Sequence, residues 1–228
     1  MTQSHYALER DMIPDLVEAL PNLLGPTGPR VLAAEVPEGP RVLDLVMAWS
    51  DVRPDDDYAV AGLKAISRLS NSQRAVLAVL WSSGRSSVDR LSRRTFIDAE
   101  RLLDEHLRPM QRAGLVGQIG SRSWIVTLSG SLTPRTVIAV EAKLYDWRCA
   151  LRQAHDNRRR ADYSYVALPD TQREKSSAIY THARAIGVGV IEVSPTGSRI
   201  AVKARRGGDL DRAARLQMWM RLAPLVPC

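Results

Sequence analysis

The chain has 228 residues, of which 45% are hydrophobic and 25% charged, a composition typical of globular proteins rather than disordered or fibrous ones. Its two cysteines, Cys149 and Cys228, are too few for a disulfide framework or a zinc site. No apolar stretch is long enough to span a bilayer, and the first residues lack a signal-peptide pattern, so we expect a cytoplasmic protein without a membrane partner. The net charge of +7 favours an anionic partner, most simply nucleic acid, although many basic proteins bind none.

The first elements in chain order are a helix and a hairpin. Residues 6–24 predict an amphipathic helix, and residues 30–36 and 41–49 predict the two strands of the hairpin. The second strand, RVLDLVMAW, carries one carboxylate, Asp44, inside an apolar run. Glu35 lies in the first strand, and across the hairpin it is expected to approach Asp44, where the two carboxylates repel unless a cation or proton lies between them. A charge at the rim of the sheet is an equally good interpretation of Glu35.

Residues 71–128 are similar to bacterial MarR-like winged helix-turn-helix modules. The order is helix, short helix, third helix and a hairpin with a basic tip, over residues 72–81, 86–94, 96–112, 116–119 and 124–128. The expected core positions of the third helix are Phe96, Leu102, Leu103 and Leu107.

In such modules the third helix enters the major groove, and the hairpin contacts the backbone or the minor groove. The resemblance therefore implies DNA contacts from Arg94, Arg101 and Arg122. Acidic residues dilute the charge of the third helix, and winged helices also serve as protein–protein modules, so both uses remain open.

Residues 136–144 form a β-branched and apolar run that predicts a buried strand, yet the run contains Glu141 and Lys143. Side chains alternate along a strand, so these two charges share one face. A carboxylate and an ammonium on a buried strand are costly to desolvate unless they are paired or bound to a metal. A structural ion pair, or an edge strand with one solvated face, would also explain the pattern.

A helix and a second strand follow. The helix carries an apolar stripe, Trp147, Ala150, Leu151 and Ala154, and arginines on its other side, among them Arg148 and Arg152. Residues 163–168 then predict a strand, which completes a parallel strand–helix–strand unit. Beyond it, the sequence predicts a helix at 173–186, strands at 187–193 and 199–203, and an amphipathic helix at 210–222 that covers the sheet or extends an interface to a second copy.

Asp44 in one apolar strand and Glu141-Ala142-Lys143 in another resemble the PD-(D/E)xK nuclease superfamily, as does the following helix, which carries Gln153. The resemblance covers residues 1–50 and 130–205. The chain departs from the pattern because Leu43, not proline, precedes Asp44, and because a long segment, where relatives often have a short hairpin, separates Asp44 from Glu141.

The resemblance implies an α/β fold, a restriction-endonuclease-like mixed central sheet flanked by helices. Its two parts are residues 1–50 and 130–228, and the segment 51–129 between them is expected to be an inserted, helix-rich winged-helix domain.

The same resemblance implies a magnesium-dependent DNA endonuclease, with Mn²⁺ as a possible substitute. Asp44, Glu141 and the backbone carbonyl of Ala142 would supply oxygen ligands, which Mg²⁺ prefers. Some relatives carry a further acidic ligand in the first helix, where Glu9 and Glu18 are the candidates, although both are otherwise solvated helix charges. Glu35 is a third candidate ligand because of its place across the hairpin from Asp44.

Lys143 and Gln153 complete the implied catalytic set. A bound metal would polarise a phosphodiester and lower the pKa of a water, and Lys143 would position that water or offset charge on the phosphorane. An ammonium beside two carboxylates is expected to keep a high pKa, which favours electrostatic positioning over a free-amine base. Gln153 would orient the water or Lys143, or is an ordinary polar helix residue.

Arginines outside the winged helix, including Arg148 and Arg152, are expected to contact phosphates without reading sequence. A homodimer is compatible with duplex cleavage, and DNA defence and DNA repair are both compatible roles. Two other functions remain open, a non-catalytic regulator that uses the nuclease-like fold for dimerisation or sensing, and an accessory protein that presents DNA to another enzyme.

Overall fold

A computed structural model describes residues 6–25, 30–38, 41–50, 57–127, 134–170, 176–208, 210–222 and 225. The chain forms two compact units. The first comprises Met1–Ala48 and Thr136–Leu210, and the second comprises Trp49–Arg135 and Asp211–Cys228. Within the described ranges, no helix is long and apolar enough to cross a membrane.

The elements follow one another in this order. A 3-10 turn (Glu9–Met12) leads into α1 (Ile13–Leu24), β1 (Arg30–Glu38), β2 (Arg41–Ser50), α2 (Asp57–Ser67) and α3 (Asn71–Ser83). Next come β3 (Ser86–Ser87), α4 (Val88–Thr95), a third helix made of α5 (Ala99–Arg101), a π-helical turn (Leu102–Leu107) and α6 (Arg108–Arg112), then β4 (Val116–Ile119) and β5 (Ser123–Val126). The remaining elements are β6 (Pro134–Ala142), α7 (Trp147–Asn157), β7 (Tyr163–Pro169), α8 (Ser176–Ile186), β8 (Gly189–Val193), β9 (Arg199–Val202) and α9 (Arg212–Leu222).

A mixed six-stranded sheet in the order β1-β2-β6-β7-β8-β9 is flanked by helices, so the protein belongs to the α/β class. β6, β7 and β8 run parallel, with Glu141 opposite Val166, and β9 pairs with β8 antiparallel. This arrangement confirms the strand–helix–strand unit predicted at its centre. The start of the helix predicted at 173–186 and the end of the strand predicted at 124–128 lie outside the described residues.

The apolar stripe of α7 packs on the sheet as predicted. Trp147, Ala150, Leu151 and Ala154 are buried in one core cluster with Val166 of β7 and residues of α8, β8 and β9. Asp146 caps the helix, because its carboxylate accepts a hydrogen bond from the Cys149 amide at 3.0 Å. The stripe packs α7 against β7, and the cap fixes where the helix begins.

The second unit contains a three-stranded antiparallel sheet, β3-β5-β4, with α3, α4 and the third helix. Ser70 and Gln73 form a capping box at the start of α3, each side chain accepting from the other residue's amide. Buried leucines of the three helices, including Leu77, Leu91 and Leu102, supply the core.

The last helix clusters with the second unit. The sequence predicts residues 130–228 as one piece of the first unit, whereas Asp211–Cys228 clusters with the second unit. α9 packs against α3, and its buried side chains are Leu216, Met218, Trp219, Met220 and Leu222. An amphipathic stripe indicates that a helix covers an apolar surface, but it does not indicate which one.

Phe96 is wrongly predicted as a core residue. Its side chain is 95% exposed, and its backbone adopts a left-handed conformation with φ 57°. α4 ends at Thr95, and Asp98 starts the next helix by accepting hydrogen bonds from the amides of Glu100 and Arg101. Phe96 therefore lies in the turn between two helices and not on the buried face of either.

Candidate active site

Asp44 and Glu141 lie on neighbouring strands, β2 and β6, at the centre of the mixed sheet. The Asp44 carboxylate accepts a hydrogen bond from the Ala142 amide at 2.7 Å, which fixes it against β6. Burial raises the pKa of Asp44, although the Ala142 amide and the Lys143 ammonium act in the opposite direction. A long segment of chain separates β2 from β6, but the sheet places the two strands, and therefore Asp44 and Glu141, side by side.

Glu141 is the more deeply buried of the two carboxyl groups, with 4% of the residue exposed. Burial, and then the negative charge of Asp44, raise the pKa of Glu141 to about 7, against the Asn157 hydrogen bond and the Lys143 charge. Ionisation of Glu141 is thus opposed by its burial and by the charge of Asp44. A cation between the two carboxyl groups would offset this opposition.

Lys143 forms its ion pair with Glu9 of the 3-10 turn, with Nζ 2.6 Å from Oε2. Burial lowers the pKa of Lys143, but Glu9, and then Asp44 and Glu141, raise it by more, so the net shift is upward. The upward direction agrees with the expectation of a protonated ammonium. Sequence alone did not identify Glu9 as its partner, because Glu9 is distant along the chain.

A cavity of about 570 Å³ opens in front of Asp44 and Ala142, and Glu9, Glu35 and Tyr145 also line it. Glu35 has φ 51°, a left-handed conformation that is uncommon for a residue with a side chain. Such strain is concentrated at functional sites. Glu35 and Asp44 line one cavity, whereas Glu18 is exposed on α1 and is not among the described lining residues.

Asn157 is a site residue that the sequence predictions missed. Its side chain is buried, and its Nδ2 donates a hydrogen bond to Glu141 Oε1 at 2.6 Å. Asn157 continues the stripe of Ala150 and Ala154 at helical spacing. A polar residue at a position that faces the core is the signal that would have identified it.

Gln153 lies one helical turn before Asn157 on α7, so the two side chains share one side of the helix. Gln153 Oε1 is buried and has no hydrogen-bond partner within the described ranges. No hydrogen bond there joins Gln153 to Asp44, Glu141 or Lys143. An unpaired buried carbonyl oxygen costs about 1–3 kcal/mol, which a water in the site would relieve.

The three arginines named in the second unit differ in their surroundings. Arg94 donates to Ser83 Oγ, and Arg101 pairs with Glu105 at 2.8 Å within its own helix. Arg122 is exposed in the turn between β4 and β5. Of the three, Arg101 is the one whose charge is already offset.

The two arginines named on α7 are both exposed. The Arg148 guanidinium lies 4.7 Å from the centre of the Trp147 ring, a cation–π arrangement. Arg152 lies one turn further along and contacts the Cys149 sulfur at 3.5 Å. Both present positive charge on the face of α7 that points away from the core.

The donor set fits a hard cation. No group of three or more His, Cys, Asp or Glu side chains placed for a metal occurs among the residues that the structure describes. The expected set is smaller, two carboxylates and the Ala142 carbonyl, and Mg²⁺ accepts such a set because it keeps several waters. The structural observation that supports a cation here is the adjacency of two carboxyl groups, Asp44 and Glu141, on neighbouring strands, with Glu141 buried.

Comparison with known proteins identifies no relative, since no family, no curated protein and no solved structure matches the chain. The function must therefore be inferred from the geometry of the site.

Replacing Asn157 by alanine is expected to destabilise the protein by about 1.5–3 kcal/mol at pH 8, the usual contribution of a hydrogen bond to a charged group. The loss should be smaller at pH 5, because this hydrogen bond stabilises the ionised form of Glu141. Urea unfolding at both pH values measures this loss of unfolding free energy. His155→Ala, at an exposed position on the same helix, is the control. Equal losses at both pH values would mean that Asn157 contributes packing and no hydrogen bond that depends on the ionisation of Glu141.

Proposed function

We propose that the protein is a metal-dependent DNA endonuclease of the PD-(D/E)xK type. The observation that carries the proposal is the pairing of half-buried Asp44 with buried Glu141 on adjacent strands beside the ammonium of Lys143. A mixed sheet with its first helix against the site is compatible with a restriction-endonuclease-like fold. The cavity in front of Asp44 gives a phosphodiester access to that carboxylate, whereas Glu141 and Lys143 are not among the described residues that line it.

Mg²⁺ is the proposed cofactor, with Mn²⁺ as a substitute, and it would be held by Asp44, Glu141 and the carbonyl of Ala142. The chemistry that it supplies when bound is polarisation of the phosphodiester and acidification of a water. The chain supplies the orientation: the Ala142 amide holds Asp44, and the Asn157 amide group holds Glu141.

Lys143 is proposed to stabilise negative charge on the phosphate as the bond to the leaving oxygen breaks. Its raised pKa keeps the ammonium protonated, so it acts through its charge and not as a base. Glu9, which lines the cavity, holds the ammonium of Lys143. Gln153, with its unpaired buried oxygen, is proposed to accept a hydrogen bond from the attacking water.

The second unit is proposed to be a winged helix that binds DNA. Three helices followed by an antiparallel hairpin, with Arg122 in the hairpin turn, support this assignment. The third helix, residues 99–112, contains three arginines and three acidic residues, whereas α4 contains three arginines and one aspartate. The net positive charge therefore supports phosphate contacts from α4 more than from the third helix.

The test is a cleavage assay on plasmid and on single-stranded DNA with Mg²⁺, with Mn²⁺ or with EDTA. We expect cleavage that requires a metal and is lost in Asp44→Asn, which keeps an oxygen acceptor for the Ala142 amide. Purifying both proteins in parallel excludes a contaminating nuclease. Cleavage by the variant at the wild-type rate would refute the proposed site.

One observation favours a second function, a non-catalytic DNA-binding regulator. Lys143 is already neutralised by Glu9, an arrangement that a purely structural ion pair would also produce. The same assay separates the two functions, because a regulator binds one duplex sequence tightly and cleaves no substrate with any metal.

A further inference from the structure

Phe96 combines two unfavourable features in the turn between α4 and the third helix. It is the only phenylalanine of the chain, and its side chain is 95% exposed, so its ring contributes almost no burial to the fold. Its backbone has φ 57°, a conformation that costs a residue with a side chain more than it costs glycine. An exposed ring on a strained backbone is explained more readily by a partner than by folding.

The turn holds Phe96 in a fixed position. Before it, Thr95 Oγ1 donates to the Leu91 carbonyl at 2.8 Å, and Ser92 Oγ donates across the turn to the Ile97 carbonyl at 2.6 Å. After it, Asp98 caps the next helix with two hydrogen bonds. A turn that is held in place loses little backbone freedom when its exposed side chain binds a partner, which favours affinity.

The charge beside Phe96 identifies the partner as anionic. Arg90, Arg93 and Arg94 of α4 lie at positions i, i+3 and i+4, and all three are exposed on one side of the helix. The third helix adds no comparable charge, because Arg101 pairs with Glu105, and Arg108 pairs with an aspartate of the same helix. Nucleic acid offers the matching surface, with phosphates for the guanidinium groups and base faces for the ring.

We propose that Phe96 is the residue of the second unit that contacts nucleobases, stacking on a base or entering a base step, while Arg90 and Arg93 contact the flanking phosphates. The inference rests on the proposed DNA binding but not on cleavage. Stacking tolerates any base because every base has a π face, so the contact gives affinity without sequence preference. An unpaired base and a distorted base step offer the same face, and the test separates them.

The experiment measures DNA binding by the full-length protein in EDTA, where cleavage cannot interfere. A labelled duplex and the corresponding single strand are titrated with wild type, Phe96→Ala and Phe96→Trp, with Leu225→Ala as the control for removing an exposed apolar side chain of the same unit. We expect Phe96→Ala to weaken binding about 5- to 150-fold, the range for one stacked base. Phe96→Trp should bind within about threefold of wild type, because it preserves an aromatic face. A loss on the single strand alone indicates an unpaired base, and a loss on the duplex indicates entry into a base step.

Two further measurements separate stacking from charge and from folding. The salt dependence of binding should keep its slope in Phe96→Ala, whereas Arg93→Gln should reduce that slope by about 0.9, the value for one lost phosphate contact. Phe96→Gly should bind as weakly as Phe96→Ala and should raise Tm by about 2–4 °C, because glycine relieves the left-handed backbone.

Three results would overturn the inference. Wild-type affinity of Phe96→Ala for both DNA forms, or no DNA binding by the wild type, would exclude a base contact. A lower Tm in both Phe96→Ala and Phe96→Gly would make the ring a structural residue. Loss of self-association in Phe96→Ala by sedimentation, with DNA affinity unchanged, would assign the ring to a protein interface. None of these results depends on Asp44, so failure of this inference and failure of the nuclease proposal are distinguishable.

Discussion

Replacing Lys143 by methionine is expected to slow DNA cleavage by about 10²–10³-fold, the usual effect of removing one group that stabilises transition-state charge. Lys143 Nζ lies in an ion pair at 2.6 Å from Glu9 and also interacts with the charges of Asp44 and Glu141. Methionine keeps an unbranched apolar stem of similar length, so the loss should reside in the charge. The measurement is single-turnover cleavage of a saturating duplex.

The same substitution should change stability little. The Lys143 and Glu9 side chains are 22% and 44% exposed, and ion pairs exposed to this degree contribute about 0–1 kcal/mol. The proposed DNA binding by the second unit should also persist. A variant that unfolds, or that cleaves at the wild-type rate, would contradict the proposed role of Lys143.

A second variant, Lys143→Arg, distinguishes charge from proton transfer. Arginine stays protonated at any pH used for the assay, so it can supply charge but not a free base. Partial activity in this variant indicates electrostatic stabilisation, as the raised pKa of Lys143 predicts. Complete loss in arginine and methionine variants alike, with a wild-type activity that rises with pH, would instead indicate a neutral amine.

Glu9 has two possible roles, holding Lys143 alone or also binding the cation, and a variant that removes its charge distinguishes them. If Glu9 only holds Lys143, Glu9→Gln should slow cleavage without changing the Mg²⁺ concentration needed for half-maximal rate. If Glu9 also binds the cation, that concentration should rise in the variant. Glu18→Gln is the matched control, since Glu18 is an exposed glutamate of the helix that follows the 3-10 turn.

The parts of the fold that sequence predicts are those with a strong local pattern. β2 and β6 are apolar runs in which a single carboxylate, Asp44 or Glu141, is conspicuous, and the stripe of α7 has a clear helical period. Periodicity identifies each element but not its neighbour in the sheet. The pairing of Asp44 with Glu141 was therefore predictable only through the resemblance to a nuclease superfamily.

The unpredicted features depend on contacts between distant residues or on a single backbone conformation. The Glu9–Lys143 pair and the α9–α3 packing join segments far apart in the chain, which no local window reports. Phe96 is an apolar residue of a type expected on the buried face of a helix. It lies outside the third helix because that helix begins after its N-cap, Asp98. Asn157 was visible as a polar residue in an apolar stripe, but its partner Glu141 was not.

Replacing Glu141 by glutamine is expected to stabilise the metal-free protein while abolishing cleavage. The pKa of Glu141 rises from an ordinary 4.5 to about 7 in the folded state, chiefly through burial and then through Asp44. Between these values the folded state holds a proton that the unfolded state has released, so stability falls as pH rises from about 4.5 to about 7. Glutamine is uncharged and avoids this loss, and its Oε1 still accepts from Asn157 Nδ2.

The size of the gain follows from the shift. At about 1.4 kcal/mol per pKa unit, the variant should gain about 3 kcal/mol at pH 8 and about 1 kcal/mol at pH 5. Urea unfolding in EDTA at both pH values measures the difference. Glu192→Gln is the control, because Glu192 is also buried but pairs with Arg199 and Tyr180, so its neutralisation should give no gain.

Mg²⁺ should reverse the order of stability. A cation that binds the folded state between Asp44 and Glu141 stabilises wild type by mass action, whereas the glutamine variant lacks one of the two charges that hold it. Millimolar Mg²⁺ should therefore raise the unfolding free energy of wild type at pH 8 and leave Glu141→Gln nearly unchanged. An equal response of both proteins would mean that the buried pair is not the metal site, even if the pH dependence in EDTA follows the expected sign. A gain in stability of Glu141→Gln in EDTA, together with stabilisation of wild type alone by Mg²⁺, would have one explanation. The two carboxyl groups would destabilise the metal-free protein because their function is to bind a cation.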